Sequence, residues 1–254
     1  MFDQFFIPIL LIIFLYGIVI GSFLNVCIYR IPKQENIVVV HSHCMDCGNT
    51  LKWYELIPLF SYLVQGGKCR HCKAHISIQY PLIEALNGVL YVLVVIINGA
   101  NVDSLLYCLL VSALIVLSVI DWRTYEIPVG INVFILLLGL IMTAIHYRDF
   151  LNHVIGFFAV STFIFIIILA TKGRGMGGGD MKLMAVAGLL LGWKEIILAF
   201  ILGCILGAVI HVLRMKITKA DHVLAFGPYL SAGILITVLY GERILNWYLG
   251  ILVF

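Results

Sequence analysis

The chain has 254 residues, 63% hydrophobic and 11% charged, with a mean hydropathy of +1.10. Soluble domains carry roughly a quarter charged residues, so this composition excludes an ordinary soluble globule and places the chain in the membrane class. The net charge of +3 is too small for a nucleic-acid surface. The basic residues are also local, as topology rather than DNA binding requires, so no nucleic-acid partner is expected.

The N-terminal stretch MFDQFFIPILLIIFLYGIVIGSFLNVCIYRIPK has no basic n-region and carries Asp3. Its positive charges, Arg30 and Lys33, follow the apolar run. That order predicts a retained first helix over about residues 5–27 with its C-terminal end in the cytoplasm. The only long polar region follows, about 30–80. There Arg30, Lys33, Lys52, Lys68, Arg70 and Lys73 outweigh Glu35, Asp46 and Glu55, a bias that marks a cytoplasmic loop.

Apolar segments recur near 82–98, 104–120, 129–145, 152–170, 181–192, 195–213 and 223–242. With the first helix they predict an all-α polytopic membrane protein of about eight transmembrane helices, its N-terminus outside. Alternation puts 121–126, Lys172 with Arg174, and Arg214, Lys216 and Lys219 inside. It puts 98–101, 146–149 and 193–195 outside. Segment 181–192 is short, since a span takes about 20 residues. It is expected to start below the membrane surface, surrounded by protein or water. The expected organisation is a first transmembrane helix (1–28), a small cytoplasmic domain between helices 1 and 2 (29–80) and a membrane-embedded domain (81–254).

Asp121 closes the run LSVID, and Asp180 follows the glycines of GRGMGGGD. Far apart in sequence, both fall on the inner side. Two aspartates sharing one proton can activate water, one as general base and the other protonating or polarising the peptide. Their mutual repulsion separates the two titrations. Gly177, Gly178 and Gly179 would let the backbone bend or admit a substrate strand beside Asp180. The alternative is that either aspartate is a solvated loop residue, or that Asp180 caps the next helix. Lys182 would balance the charge of the pair or reach lipid headgroups.

Cys44-x2-Cys47 and Cys69-x2-Cys72 are two knuckles in the polar loop. Four thiolates in two CxxC pairs are the usual way to hold a tetrahedral zinc. A loop this small has too little core to fold unaided, so the metal would staple it. Gly48 suits the turn after the first pair, and Gly66 and Gly67 a reversal before the second. Disulfides fit a cytoplasmic loop poorly, and an iron–sulfur centre is the other reading. His43 and His71 read as surface residues, and Cys27, Cys108 and Cys204 as core filler.

Near the end of helix 1, Gly21 and Ser22 permit close helix contact, and Asn25 can bond across an interface. Glu84 and Asn87 share a face of the next helix. A carboxylate at that depth needs a partner or a task, and a buried structural network is the alternative for each. Gly227-Pro228 interrupts the last apolar run and would shape a pocket or simply bend the helix.

Taken in order, GSFLNVCIYRIP (21–32), HCMDC (43–47), LKWYELIPLFSYLVQGGKCRHC (51–72), ISIQYPLIEALNG (76–88), IDWRTYEIP (120–128), GGGDMKL (177–183) and FGPYLSAG (226–233) cover nearly the whole chain. This series resembles the type IV prepilin peptidase family, bacterial membrane aspartic proteases of the GxGD type. The resemblance implies Asp121 and Asp180 as the catalytic pair and Cys44, Cys47, Cys69 and Cys72 as structural zinc ligands. It implies a prepilin or pseudopilin substrate, cut at the cytoplasmic face of the inner membrane while its apolar helix stays among the lipids. It further implies methylation of the new N-terminus from S-adenosylmethionine, for which Glu84 and Asn25 are the candidate residues. Val129 stands where the family often has aspartate, which removes a third carboxylate near Asp121. A leader peptidase without methyltransferase activity is the closest alternative. A transporter would place its charges nearer the midplane, and an assembly module would use the zinc domain to dock a partner.

Overall fold

A computed structural model describes residues 6–39, 41–218 and 224–252. Lys219, expected on the inner side, lies outside them. Among the described residues the chain is helical, with no strand beyond two isolated bridges. Helix α1 (Phe6–Arg30) precedes the polar region, which holds only a 3₁₀ turn (Trp53–Glu55) and the short α2 (Phe60–Val64). Then follow α3 (Gln79–Asn98), α4 (Val102–Thr124), α5 (Val129–Ile145), α6 (Phe150–Ala170), α7 (Gly178–Leu191), α8 (Trp193–Thr218) and α9 (Gly227–Leu252). They form two compact units, Met1–Ala100 and Asn101–Phe254.

Each of the eight expected apolar segments lies largely within a helix, residues 5 and 223 being outside the described ones, but five helices among the described residues are long and apolar enough to span a bilayer: α1, α3, α4, α6 and α8. The shortfall has physical causes. Helices α5 and α7 have 17 and 14 residues, so at 1.5 Å per residue they reach roughly 25 and 21 Å, against about 30 Å of hydrocarbon. Helix α9 is long but carries the adjacent charges Glu242 and Arg243. Large apolar side chains such as Ile7, Leu11, Ile12 and Leu15 stand exposed on α1, as a lipid-facing surface requires.

In the first unit α1 packs on α3 through small residues. A Cβ on Gly17 would come within 2.7 Å of the Gly88 Cα, and one on Gly21 within 2.7 Å of the Glu84 Cα. The Asn87 carboxamide closes the same crossing by donating to the Gly17 carbonyl at 2.7 Å.

In the second unit α7 is the central helix. It is buried without a break from Leu183 to Leu191 and packs on both α5 and α6. A helix buried all round is enclosed by other elements, which is why a segment too short for a span is tolerated. Gly156 of α6 and Gly188 of α7 meet backbone to backbone, and a methyl group on either would run into the other's carbonyl. Helices can approach that closely only through residues without side chains. We expect Gly188→Val to separate α6 from α7 and to cost about 1–3 kcal/mol, read as a lowered thermal midpoint in detergent.

Candidate active site and metal centre

Helix α4 runs three residues past Asp121, to Thr124, and ends on Tyr125 in the left-handed conformation (φ 56°). Asp121 therefore sits inside the last turn of α4 rather than at its end, and it is 5% exposed. Its Oδ2 accepts a hydrogen bond from the Gly227 N–H at 2.9 Å. Gly227 is the first residue of α9. The Gly-Pro break is thus a helix start and not a bend within a helix. Pro228 suits the first turn, where its missing N–H costs nothing, while the Gly227 N–H is a first-turn donor with no carbonyl of its own helix to bond. A Cβ on Gly227 would lie 2.7 Å from Asp121 Oδ2, so only glycine lets the carboxylate reach this N–H.

Asp180 is the third residue of α7 and is 9% exposed. Its Oδ2 accepts from the N–H of Gly177, the N-cap, at 3.3 Å. Asp180 is therefore not itself the N-cap but reaches back from the third helical position to the cap N–H. The three glycines are not in left-handed backbone: Gly177 has φ −79°, and Gly178 and Gly179 are helical. Gly179 packs tightly, its missing Cβ leaving 3.0 Å to the Ile127 Cβ. Gly178 faces open space.

Both carboxylates are thus buried and held by backbone N–H groups at helix N-termini, where the helix dipole favours negative charge. They belong to one end of the bundle. Ile127, just past α4, touches Gly179 beside Asp180. The Arg214 guanidinium of α8 lies 4.9 Å over the Trp122 ring next to Asp121. The charge on Asp121 also acts electrostatically on Asp180. Lys182 is exposed to one side.

In the first unit the four cysteine sulfurs lie within 4.8 Å of one another, with Cys44 Sγ and Cys72 Sγ 3.8 Å apart. Sulfurs around a zinc at Zn–S of about 2.3 Å stand roughly 3.8 Å apart at tetrahedral geometry, so the cluster fits a metal of that kind. No cysteine is in a disulfide. The two knuckles share one fold. In each, the first cysteine's N–H reaches a carbonyl five residues on (Asn49, Ala74), and its carbonyl accepts from the N–H four residues on (Gly48, Lys73). An isolated bridge closes each, His43 with Thr50 and Lys68 with His75. Gly48 and Lys73 hold the equivalent position with φ of 68° and 63°. Gly66 and Gly67 also have positive φ, as their reversal requires. The N–H groups of Cys72 and His71 point at Cys69 and hold its thiol pKa down, while that of Cys72, despite an Ala74 N–H bond, is pushed up by burial and the neighbouring sulfurs, the split expected of close thiols that titrate together. His43 and His71 are exposed and outside the cluster. Lys73 bears a left-handed conformation that costs a side-chain residue about 1–2 kcal/mol. Lys73→Gly should therefore raise resistance to metal loss, and Gly48→Val should lower it, measured by chelator titration.

Asn25 and Glu84 have partners within their own unit. Asn25 donates to the Gly21 and Tyr80 carbonyls and accepts from Gln79. Glu84 Oε2 accepts from the Leu59 N–H at 2.8 Å. Two connections escaped sequence reasoning. Arg30, taken as a topology signal, is buried and donates to the carbonyls of Asn36, Ile37 and His41. Gly227, noted as a break that would shape a pocket or bend the helix, binds Asp121; its place beside a proline after an apolar run was the available signal.

A sequence profile of the bacterial peptidase A24 N-terminal domain matches residues 15–97, and one of the type IV leader peptidase family matches residues 108–212. A prepilin leader peptidase/N-methyltransferase of Bacillus subtilis (strain 168) is 34% identical over 94% of this chain and 97% of its own length. Proteins of the same description from Pseudomonas aeruginosa and Pseudomonas putida are each 32% identical, over 92% and 90% of this chain and 91% and 89% of their own lengths. No solved structure matches the chain. The chain belongs to the type IV leader peptidase family.

Proposed function

We propose that this protein is a membrane aspartic endopeptidase that removes the short basic leader from prepilins or pseudopilins and then methylates the new N-terminus. The observation that carries the reading is the pair of buried carboxylates, Asp121 and Asp180, each on a helix N-terminal N–H at one end of the bundle, in a chain of this family.

In this reading Asp121 and Asp180 are the catalytic pair and share one proton. One takes a proton from water as its oxygen bonds to the scissile carbonyl carbon. The other protonates the departing nitrogen as the carbon–nitrogen bond breaks. The open space at Gly178 supports entry of an extended substrate segment beside Asp180. The inner-side basic residues support a multi-pass protein of eight helices in the bacterial inner membrane with this end facing the cytoplasm. Residues 1–28 form the first span, 29–80 the cytoplasmic domain and 81–254 the peptidase domain. Cys44, Cys47, Cys69 and Cys72 would hold a structural zinc, supported by the sulfur spacing. S-adenosylmethionine would supply the methyl group for the new amine. Glu84 and Asn25, buried polar side chains of facing helices, are the residues we assign to that step. Their existing bonds equally support the structural network.

The test is the intact mass of a prepilin co-expressed in membranes with the wild type, Asp180→Asn, Cys69→Ser or Glu84→Gln. Wild type should remove the leader and add one methyl group. Asp180→Asn should leave the precursor whole; a fully processed pilin with this variant would sink the catalytic pair. Glu84→Gln should cleave without methylating. A Cys69→Ser chain should lose bound metal. Gly227→Ala should cut cleavage by at least tenfold with little loss of stability, because its methyl group displaces the Asp121 carboxylate.

A further inference from the structure

Asn132 in the first turns of α5 is 5% exposed, yet both its Nδ2 and Oδ1 are buried with no hydrogen-bond partner among the described residues. A buried carboxamide left unpaired carries the full desolvation penalty of both groups. Such a group in a folded protein calls for an explanation, and a partner that arrives only during function is one.

Its position narrows the partner. Ile127, ahead of α5, meets Gly179, and Gly139 of α5 meets Leu189, with 3.2 Å from a Cβ on the glycine to the leucine Cβ. These contacts ascend together along the two segments, with a sequence offset of 52 at the first and 50 at the second, so α5 and α7 run parallel. Thr143 of α5 also donates to the Leu189 carbonyl. Asn132, Gly139 and Thr143 share one stripe of α5 by helical spacing, and that stripe faces α7. The register sets Asn132 level with Lys182 to Met184, roughly one helical turn of 5.4 Å deeper than Asp180. At that level of α7, Leu183 and Met184 are fully buried and apolar.

A carboxamide presents one donor edge and one acceptor, the same pair that a peptide group presents. We infer that Asn132 binds the main chain of the substrate on the C-terminal side of the scissile bond, where the segment continues from Asp180 toward the membrane interior. The inference rests on the peptidase reading. Recognition through the main chain tolerates any side chain at that position, and it holds the segment extended, as cleavage requires.

The experiment compares wild type with Asn132→Leu, an apolar replacement of similar size, as full-length protein in detergent. The substrate is a synthetic peptide spanning the leader and the start of the mature sequence. Asn132→Leu should lose about tenfold or more in kcat/KM, mainly through KM, while its thermal midpoint holds or rises because two unpaired polar atoms are gone. Replacing the recognised peptide link by an ester should then slow wild type several-fold and leave Asn132→Leu unchanged. Wild-type cleavage by Asn132→Leu would overturn the inference, as would an equal loss in both proteins at every ester position. Should Asn132→Leu fail to fold, the smaller Asn132→Ser carries the same comparison with the same two outcomes. Failure of the peptidase reading is distinct, since wild type would then leave every peptide whole.

Discussion

The site depends on one interaction, the capture of a carboxylate by the unbonded N–H groups at a helix N-terminus. Asp121 comes from α4 but is held by the first residue of α9, and Asp180 is held by the N-cap of its own helix. Burying a carboxylate is expensive unless it is hydrogen-bonded. Helix N-termini supply both donors and a favourable dipole. The bond to Gly227 also ties the two ends of the second unit's sequence together, since α4 opens that unit and α9 closes it.

A second constraint places those helix ends. Helix α7 is too short to cross a bilayer and begins at Gly178, with its charge at the first turn and an apolar run above it. Enclosure by α5 and α6 makes that tolerable, and the enclosure depends on backbone contact at Gly156 and Gly188. The glycines within the helices therefore set how closely α6 and α7 approach beside Asp180. The cysteine knuckles answer a different need: a metal held there would give a polar loop with little core a fixed shape.

Much of this was legible in the sequence. The apolar runs marked all eight long helices, because hydropathy records the one solvent they share. The CxxC spacing marked the cysteine cluster, because each knuckle is a local turn. What was not legible depended on contacts distant in the chain. The Asp121–Gly227 bond joins residues whose proximity no local pattern encodes, and Gly-Pro read as a bend because a break and a start look alike in one dimension. Lys73 in left-handed backbone was invisible beside Gly48, since only the fold shows the two positions to be equivalent. Length and composition mark five spans among the described residues against the eight expected, because an enclosed helix and a spanning helix can be equally apolar.

The central claim is that Asp121 and Asp180 act as one unit. Turnover of a prepilin peptide by Asp121→Asn, Asp180→Asn and the double variant tests it most directly. Groups acting as a unit are strongly non-additive, so either single variant should fall to the same background as the double. A single variant retaining substantial turnover, or losses that multiply in the double, would contradict the account.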